Sequence, residues 1–547
     1  MPSSGRIQLI IVAVAAVLFI PGLGAVHLFD WDEINFAEIA REMLVTGNWA
    51  QPCIDYLPFH EKPPLFIWMQ AASMRVLGVA EFAARLPNAI CGIVTLIVLF
   101  RIGSRLRGAL FGALWALAYV GSILPHLYFR SGIIDPWFNL FIFLGVDAMI
   151  GWMREEHPPG TGLGGRYAML TGLYLGLAVM TKGPVGILIP ALTFTVYWVR
   201  SRFKRAFSIG QFALALSALL ITIGSWAVVD LLRNGPEFMV GFFWRQIAIL
   251  STEDAGHGGF FGYHFIVLLF GCFPAAAFAV QELLKPTRSE GKLADHHRRW
   301  MVILFWVVLI LFSLVRTKIV HYSSLCYFPL TYLAALQLER IWRKQEGFGW
   351  PRYMVGIIGT AIALVFIIVP LVGMRIDLLR PLLAKDPFGQ ANLDAAVHWN
   401  GLEPLVGIVL MVALIIAHLL HRKGYVRRSI IVLFSGTALF VTTTLYFLIN
   451  NIEGYSQRAA IEFFEARQGE RCYVITKKYK SFAHLFYTRK PEVTDPRAHD
   501  DEWLLHGDID RPVYVVCKVT SAEETSTIHT LKEIGRKNGF VFFLRTP

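Results

Sequence analysis

The sequence predicts an α-helical polytopic membrane protein with about 13 transmembrane helices, followed by a small C-terminal α/β domain outside the membrane. Two features of the composition predict the helical part. Hydrophobic residues make up 55% of the 547 residues against 16% charged, and the mean hydropathy is +0.52. In addition, apolar runs of about 20 residues, the length that crosses a bilayer, recur up to residue 449. This composition excludes an ordinary soluble protein.

The predicted spans follow one another along the chain, and the two near 170–199 are separated only by Lys182, Gly183 and Pro184. This break predicts either a tight helical hairpin or one broken helix. The first run is long, follows a single Arg6 and lacks a small-residue cleavage site, so we expect a retained signal anchor. The predicted spans are residues 7–29, 82–100, 108–125, 136–152, 167–181, 183–199, 207–231, 260–282, 301–315, 322–338, 353–373, 402–420 and 429–449.

The distribution of Lys and Arg predicts the orientation. With the N-terminus in the cytoplasm, every second loop is basic, which is the positive-inside pattern. The formal charge of +12 is then a consequence of topology and does not indicate a nucleic-acid partner. An odd number of spans puts the C-terminal domain outside. The inside loops contain Arg101, Arg105, Arg107, Arg200, Arg202, Lys204, Arg205, Lys285, Arg288, Lys292, Arg298, Arg299, Arg340, Arg343, Lys344, Arg422, Lys423, Arg427 and Arg428.

The chain divides into a membrane domain, residues 1–449, and a C-terminal domain, residues 450–547. In the latter, segments 472–476, 513–518 and 540–544 are typical of short buried strands, separated by helical stretches such as 521–538. This alternation predicts an α/β domain. It has no glycine-rich phosphate motif, so we expect no nucleotide. Cys472 and Cys517 lie on strands predicted to be neighbours, and a disulfide between them is left open.

Charged side chains gather in the loops predicted to lie outside. Asp32 and Glu33 follow the first span at a loop-to-helix junction, where helix capping is the other interpretation of the aspartate. Glu38, Arg41 and Glu42 have the spacing of a surface helix with internal ion pairs. Further outside loops add charged and polar side chains at membrane depth, where ionisable groups are costly and indicate function. These are Glu61, Lys62, His126, Arg130, Asp135, Lys182, Arg245, Lys318, His321 and Tyr322.

Such a mixture of cations and carboxylates suits the transfer of a sugar from a lipid-phosphate donor. Lys and Arg stabilise the phosphate that leaves, and a carboxylate accepts the proton of an acceptor hydroxyl. Because nucleotides are absent outside the cell membrane, the energy must arrive in an activated lipid. We expect the loops at 30–81 and 232–259 to line this site.

Five segments carry a resemblance: DWDEINFAEIAREML (30–44), FHEKPPLFIWMQAAS (59–73), RSGIIDPWF (130–138), TKGPVG (181–186) and KIVHY (318–322). They resemble the polyprenyl-phosphate-sugar glycosyltransferases of the GT-C class. Within that class they are similar to the bacterial aminoarabinose transferases that modify lipid A (ArnT type) and, more distantly, to protein O-mannosyltransferases. The resemblance implies a multi-pass protein of the bacterial inner membrane with its C-terminal domain in the periplasm, surrounded by membrane lipids.

The resemblance also implies roles for individual residues. Asp32 would be the catalytic or acceptor-positioning carboxylate, Glu33 would support it, and Asp135 would be the second acidic residue. Glu61 and a histidine would bind a divalent ion (Zn, or Mg or Mn). His257 is the histidine we assign, and His264 and His321 are its rivals. The donor phosphate would be bound by Lys62 and Tyr322, with Arg245 and Lys318 as further ligands.

The substrates implied are a polyprenyl (undecaprenyl) phosphate-linked sugar, such as 4-amino-4-deoxy-L-arabinose, and a lipid A-type acceptor, with inversion at the anomeric carbon. This chain departs from those relatives after the Asp-Glu pair, where Ile34 and Asn35 stand in place of a nearby basic residue, so the sugar is left open. One alternative is a protein hydroxyl or another glycolipid as acceptor, with Asp32 as a true base. The other is a lipid or solute transporter, whose charges would lie near the bilayer midplane in paired halves.

Overall fold

The computed structural model describes residues 4–153, 163–203, 208–251, 258–287, 291–493 and 495–547. Its N-terminal part is a bundle of helices whose outer surface is largely apolar, as a lipid environment requires. The helices up to the C-terminal domain are α1 Ser4–Phe19, α2 Asp32–Thr46, α3 Leu65–Leu77, α4 Glu81–Arg107, α5 Ala109–Val120, α6 Ile123–Leu127, α7 Asp135–Trp152, α8 Leu163–Lys182, α9 Val185–Arg200, α10 Ile209–Asn234, α11 Glu237–Ser251, α12 Tyr263–Gly271, α13 Ala275–Leu284, α14 Lys292–Leu314, α15 Tyr327–Lys344, α16 Pro351–Gly373, α17 Pro387–Asn392, α18 Leu405–Arg422 and α19 Val426–Phe447.

A helix lies at every predicted span, but the predicted number of membrane crossings is not confirmed. Among the described residues, six helices are long and apolar enough to cross a membrane, or up to eight if each of two bent helix pairs is one span. The bent pairs are Ala109–Val120 with Ile123–Arg130, at 83°, and α12 with α13, at 119°. Fewer helices than predicted are long enough to cross a membrane, partly because α1 and α9 have only 16 residues each.

Glycines permit the close helix contacts of the bundle. A Cβ on Gly103 of α4 would lie 2.7 Å from the Cα of Gly112 on α5, so both positions need the smallest side chain. The chain reverses between α8 and α9 through Gly183, whose φ is +96°. Beyond this turn, a Cβ on Gly186 would lie 3.0 Å from Ala178 of α8. The predicted break at this position is therefore a tight hairpin.

The C-terminal domain begins with α20 (Ile449–Gly454) and α21 (Arg458–Glu465). Its sheet consists of β3 (Tyr473–Lys477), β4 (Val513–Lys518), β5 (Lys532–Lys537) and β6 (Phe540–Arg545), in the order β3-β4-β6-β5. Strands β3 and β4 are parallel, whereas β4, β6 and β5 pair antiparallel. Inward-facing Val513, Val515 and Phe543 form its core. The remaining elements are α22 Ala483–Thr488, α23 Asp501–His506 and α24 Ala522–Ser526, with a small hairpin of β1 Cys53–Ile54 and β2 Leu57–Pro58 in the first outer loop.

One expectation for this domain is corrected, and the disulfide that the sequence left open is not formed. The stretch 521–538 is helical only as far as Ser526, and β5 follows, joined to β6 by Asn538 and Gly539. Asn-Gly is a strong hairpin signal, but β5 is solvent-exposed, so its sequence has no apolar alternation. Cys472 and Cys517 are both free. Cys517 pairs with Lys477 in the parallel register, five residues along the strand from Cys472, which is about 16 Å and too far for a disulfide.

The C-terminal domain packs on the first outer helices. Phe36 and Phe66 from α2 and α3 share one apolar core with Phe464, Phe486 and others from the C-terminal domain. The expected pairing within α2 is present, with Arg41 Nη2 2.6 Å from Glu38 Oε1. It is not on the surface, however, because the C-terminal domain covers the helix and leaves these side chains buried.

Candidate functional site

A cavity of about 1300 Å³, lined by many charged side chains, lies where the loops predicted to lie outside the membrane meet the C-terminal domain. Six of the predicted site residues line it: Asp32, Glu33, Glu61, Lys62, Arg245 and Tyr322. Its wall also includes Lys182 and His321, two residues that the sequence placed in the relevant loops. The outer-loop segments therefore converge on one cavity, as expected. His257 lies outside the described residues.

Helix ends position the first charged pair of the site. Asp135 is the first residue of α7 and is followed by Pro136, a residue favoured in the first turn of a helix. Lys182 is the last residue of α8. A carboxylate is favoured at a helix N-terminus and a cation at a C-terminus. Lys182 Nζ lies 2.6 Å from Asp135 Oδ1 and 5.5 Å from the centre of the Tyr322 ring. Asp135 itself is 2% exposed, so it acts on the cavity through its neighbours.

His321 stands between the two aspartates. It belongs to the short 3-10 helix Val320–Cys326, and its Nε2 lies 3.6 Å from Asp32 Oδ2 and 4.0 Å from Asp135 Oδ2. Burial lowers the pKa of His321, while the aspartates oppose that shift. The second oxygen of Asp135 is buried and has no hydrogen-bond partner among the described residues. Asp32, at the first turn of α2, is more open to the cavity.

The second charged group comes from the loop before α3 and from α11. Arg245 Nη2 lies 2.6 Å from Glu61 Oε1, and Lys62 Nζ lies 4.0 Å from Glu61 Oε2. Burial lowers the pKa of Lys62, and the nearby Lys182 adds to that lowering, whereas Glu61 opposes it. Lys62 and Lys182 thus face one region of the cavity, which suits a phosphate.

Glu33 and Arg85 form a buried ion pair in the cavity wall. Arg85 uses all five of its N–H donors, two on Glu33 and three on the carbonyls of Leu23, Val26 and His27. Glu33 also accepts the backbone N–H groups of residues 29 and 132. Both side chains are less than a tenth exposed. The arrangement holds the loop before α2 in place, and each oxygen of Glu33 already accepts two hydrogen bonds.

Lys318 is directed away from the cavity lining. Its Nζ donates to the carbonyls of Phe312, Ser313 and Val315 at the end of α14, which is a usual place for a lysine cap. The motif therefore brings the residue near the site, but its ammonium is engaged by backbone in this structure.

The C-terminal domain adds side chains that the sequence motifs did not point to. Lys480 and Phe482 line the cavity, and Lys480 Nζ lies 4.8 Å from the centre of the Trp31 ring. Asp30 is packed among protein atoms at the same rim, and burial raises its pKa to about 6, against a lowering by a hydrogen bond to Ser481. No sequence signal links residues 30 and 480, because only the packing of the two domains brings them together.

The predicted metal site includes His257, which lies outside the described residues, so the structure describes only the surroundings of Glu61. The carboxylate of Glu61 is bound by Arg245 and faces Lys62, and these two cations would repel a metal ion. Within the described ranges, the His and acidic ligand atoms close enough to share an ion belong to His27, Glu81 and Glu465, a set without Glu61. The divalent-ion assignment stays a prediction, and no chemical step is derived through it.

The chain shares its fold with solved structures of another protein. The chain superimposes on the crystal structure of ArnT from Cupriavidus metallidurans bound to undecaprenyl phosphate with a TM-score of 0.76, covering 99% of this chain and 98% of that chain. The apo structure of the same protein gives a TM-score of 0.75. Sequence identity is 21% in both cases, so the likeness concerns the fold.

Sequence comparisons show which proteins the chain is similar to. Residues 6–239 match the family described as dolichyl-phosphate-mannose-protein mannosyltransferase. The chain is 30% identical over 323 residues to the undecaprenyl phosphate-alpha-4-amino-4-deoxy-L-arabinose arabinosyl transferase of Edwardsiella ictaluri, and 28% identical over 370 residues to its namesake in Enterobacter sp. (strain 638). The alignments cover 57% and 66% of this chain and 56% and 65% of those relatives. The predicted resemblance to lipid-phosphate-sugar glycosyltransferases is confirmed.

Proposed function

We propose that the protein is a membrane glycosyltransferase that moves a sugar from a polyprenyl-phosphate donor to an acceptor on the outer face of the membrane. The observation that supports this most is the composition of one cavity, where Lys62, Lys182, Arg245 and Tyr322 surround a space also reached by Asp32. Several cations and a carboxylate in one cavity match a leaving phosphate and an attacking acceptor.

The donor phosphate is proposed to bind between Lys62 and Lys182, beside Tyr322. Both ammonium groups are mostly shielded from water, so their attraction to a phosphate is stronger than in bulk solvent. Arg245 is already paired with Glu61 and would bind the phosphate only by sharing. The polyprenyl chain would extend along the apolar surface into the membrane.

The proposed transfer is a direct displacement with inversion. An acceptor oxygen bonds to the anomeric carbon, and the bond between that carbon and the phosphate oxygen breaks. The electron pair stays on the polyprenyl phosphate, whose added charge the lysines stabilise. An acceptor that is already an anionic phosphate needs no base, and Asp32 then orients it or the donor sugar. An acceptor hydroxyl gives its proton to Asp32.

The names of the relatives suggest particular substrates. We propose undecaprenyl phosphate as the carrier, 4-amino-4-deoxy-L-arabinose as the sugar and a lipid A-type molecule as the acceptor, which places the protein in a bacterial inner membrane with its C-terminal domain in the periplasm. A protein hydroxyl is the second candidate acceptor, favoured by the match of residues 6–239 to a protein mannosyltransferase family.

The test uses the purified full chain in detergent with radiolabelled polyprenyl-phosphate sugars, offered with lipid A and, separately, with a Ser/Thr-rich protein. We expect label on one acceptor, and a much slower transfer in Lys62→Met and Lys182→Met. Asp32→Asn distinguishes the acceptors, because it abolishes transfer to a hydroxyl and only weakens transfer to a phosphate. Absence of transfer from every donor, with the protein folded, would refute the proposal.

A further inference from the structure

His321 lies between two aspartates of the cavity region and has no role in the transfer proposed above. Its Nε2 is within 4.0 Å of a carboxylate oxygen from two different helices, Asp32 of α2 and Asp135 of α7. The two aspartates are not equivalent in their surroundings. Asp135 has Lys182 2.6 Å from its other oxygen. Among the described residues, the group within ion-pair distance of Asp32 is His321.

We propose that His321 is a positioning residue that holds Asp32 in its working orientation during transfer, an inference that rests on the proposed function. At 3.6 Å the contact to Asp32 is longer than a hydrogen bond. Catalytic hydrogen bonds are often long without substrate and shorten in the complex. A movement of under 1 Å brings the imidazole N–H onto Asp32, while Asp135 remains neutralised by Lys182.

The surroundings of His321 explain why an imidazole suits this position. The charged groups facing it are Asp32, Asp135, Lys182 at the end of α8 and Lys62 in the loop before α3. The Tyr322 ring packs edge-on against the imidazole, at 5.4 Å between centres. A third lysine here would lie beside two others, whereas a neutral imidazole donates one directed hydrogen bond without adding charge. It therefore orients the carboxylate and leaves its charge available to the substrates.

The test compares His321→Ala, His321→Gln and the double variant Asp32→Asn/His321→Ala with the unchanged protein. A glutamine amide reaches about as far as the imidazole Nε2 and donates an N–H without ever becoming charged. We expect kcat to fall about 10²-fold in the alanine variant, as for a misplaced catalytic group, while the dissociation constant for undecaprenyl phosphate stays within about twofold. Glutamine should restore about tenfold of the lost kcat.

The double variant separates positioning from an independent role. If His321 acts through Asp32, the double variant is no slower than Asp32→Asn alone, since residues acting as a unit are not additive. Multiplied losses, an unchanged kcat in His321→Ala, or undecaprenyl phosphate binding lost in parallel with kcat would each overturn the inference. His506→Ala, at an exposed site in the C-terminal domain, is the matched control. No transfer by the unchanged protein would instead refute the proposed function.

Discussion

The buried ion pair of Arg85 and Glu33 gives the sharpest prediction, because it decides between a structural and a catalytic role for that carboxylate. Arg85→Met removes five hydrogen bonds at once and leaves a carboxylate without its cation in a site less than a tenth exposed. Breaking a buried ion pair in this way costs about 3–5 kcal/mol. We expect the melting temperature in detergent to fall by about 3–4 °C, because the unfolding entropy of a chain of this length is about 1.1 kcal/mol per degree.

Glu33→Gln should lower the melting temperature in the same direction, and the double variant Glu33→Leu/Arg85→Met should lose less than the sum of the two single changes. Burial would raise the pKa of Glu33, but Arg85 and two backbone N–H groups hold it below its usual value. The ion pair therefore stabilises the fold above the ordinary pKa of a glutamate and is lost as the pH falls through the lowered value. Intrinsic fluorescence during heating measures both effects.

The opposite result is equally clear. If Glu33→Gln abolishes transfer while the melting temperature stays within about 1 °C of the unchanged protein, a shift worth about 1 kcal/mol, then Glu33 is a catalytic group and the structural interpretation is wrong. Undecaprenyl phosphate binding, measured on the same preparations, reports whether the loop before α2 still forms the cavity wall.

Three further changes have distinct expected outcomes. Asp135→Asn should lower the transfer rate about 10²-fold. In a Lys182→Met background, where the ion pair between Lys182 and Asp135 is already broken, the same change should lower the rate little further. Initial rates test this, and additive losses would contradict it. Glu42→Gln should raise the melting temperature at pH 8 and leave it unchanged at pH 4. Burial beside Glu38 raises the pKa of Glu42 from 4.5 to about 9, so the folded protein retains a proton that the unfolded chain releases. That difference removes up to about 1.4 kcal/mol of unfolding free energy per pH unit, and equal melting at pH 8 would refute it. Lys480 is a further cation of the cavity wall, so Lys480→Ala should raise the KM for an anionic acceptor severalfold and leave donor binding intact. An unchanged KM would show that Lys480 does not bind the acceptor.

Much of the site could be predicted because its residues stand in short local motifs. Asp32, Lys62, Asp135 and Lys182 lie at the ends of apolar runs, and a helix end at the membrane surface places its side chain in the same outer layer as the others. The sequence could not tell which of these charges would remain available. Arg85 is an ordinary residue within an apolar run, and only the fold brings it onto Glu33.

The sequence by itself determined the class of protein, the order of its helices and the face on which its charged residues gather, because the length and polarity of a segment decide whether it can lie in lipid. Only the tertiary structure decided that Glu61 pairs with Arg245, that Lys318 caps a helix, that His321 stands between two aspartates and that Lys480 reaches the cavity. Apart from the Lys318 cap, these contacts join residues far apart in the chain. Their free energies depend on distance and burial, which exist only after the helices and the C-terminal domain have packed together.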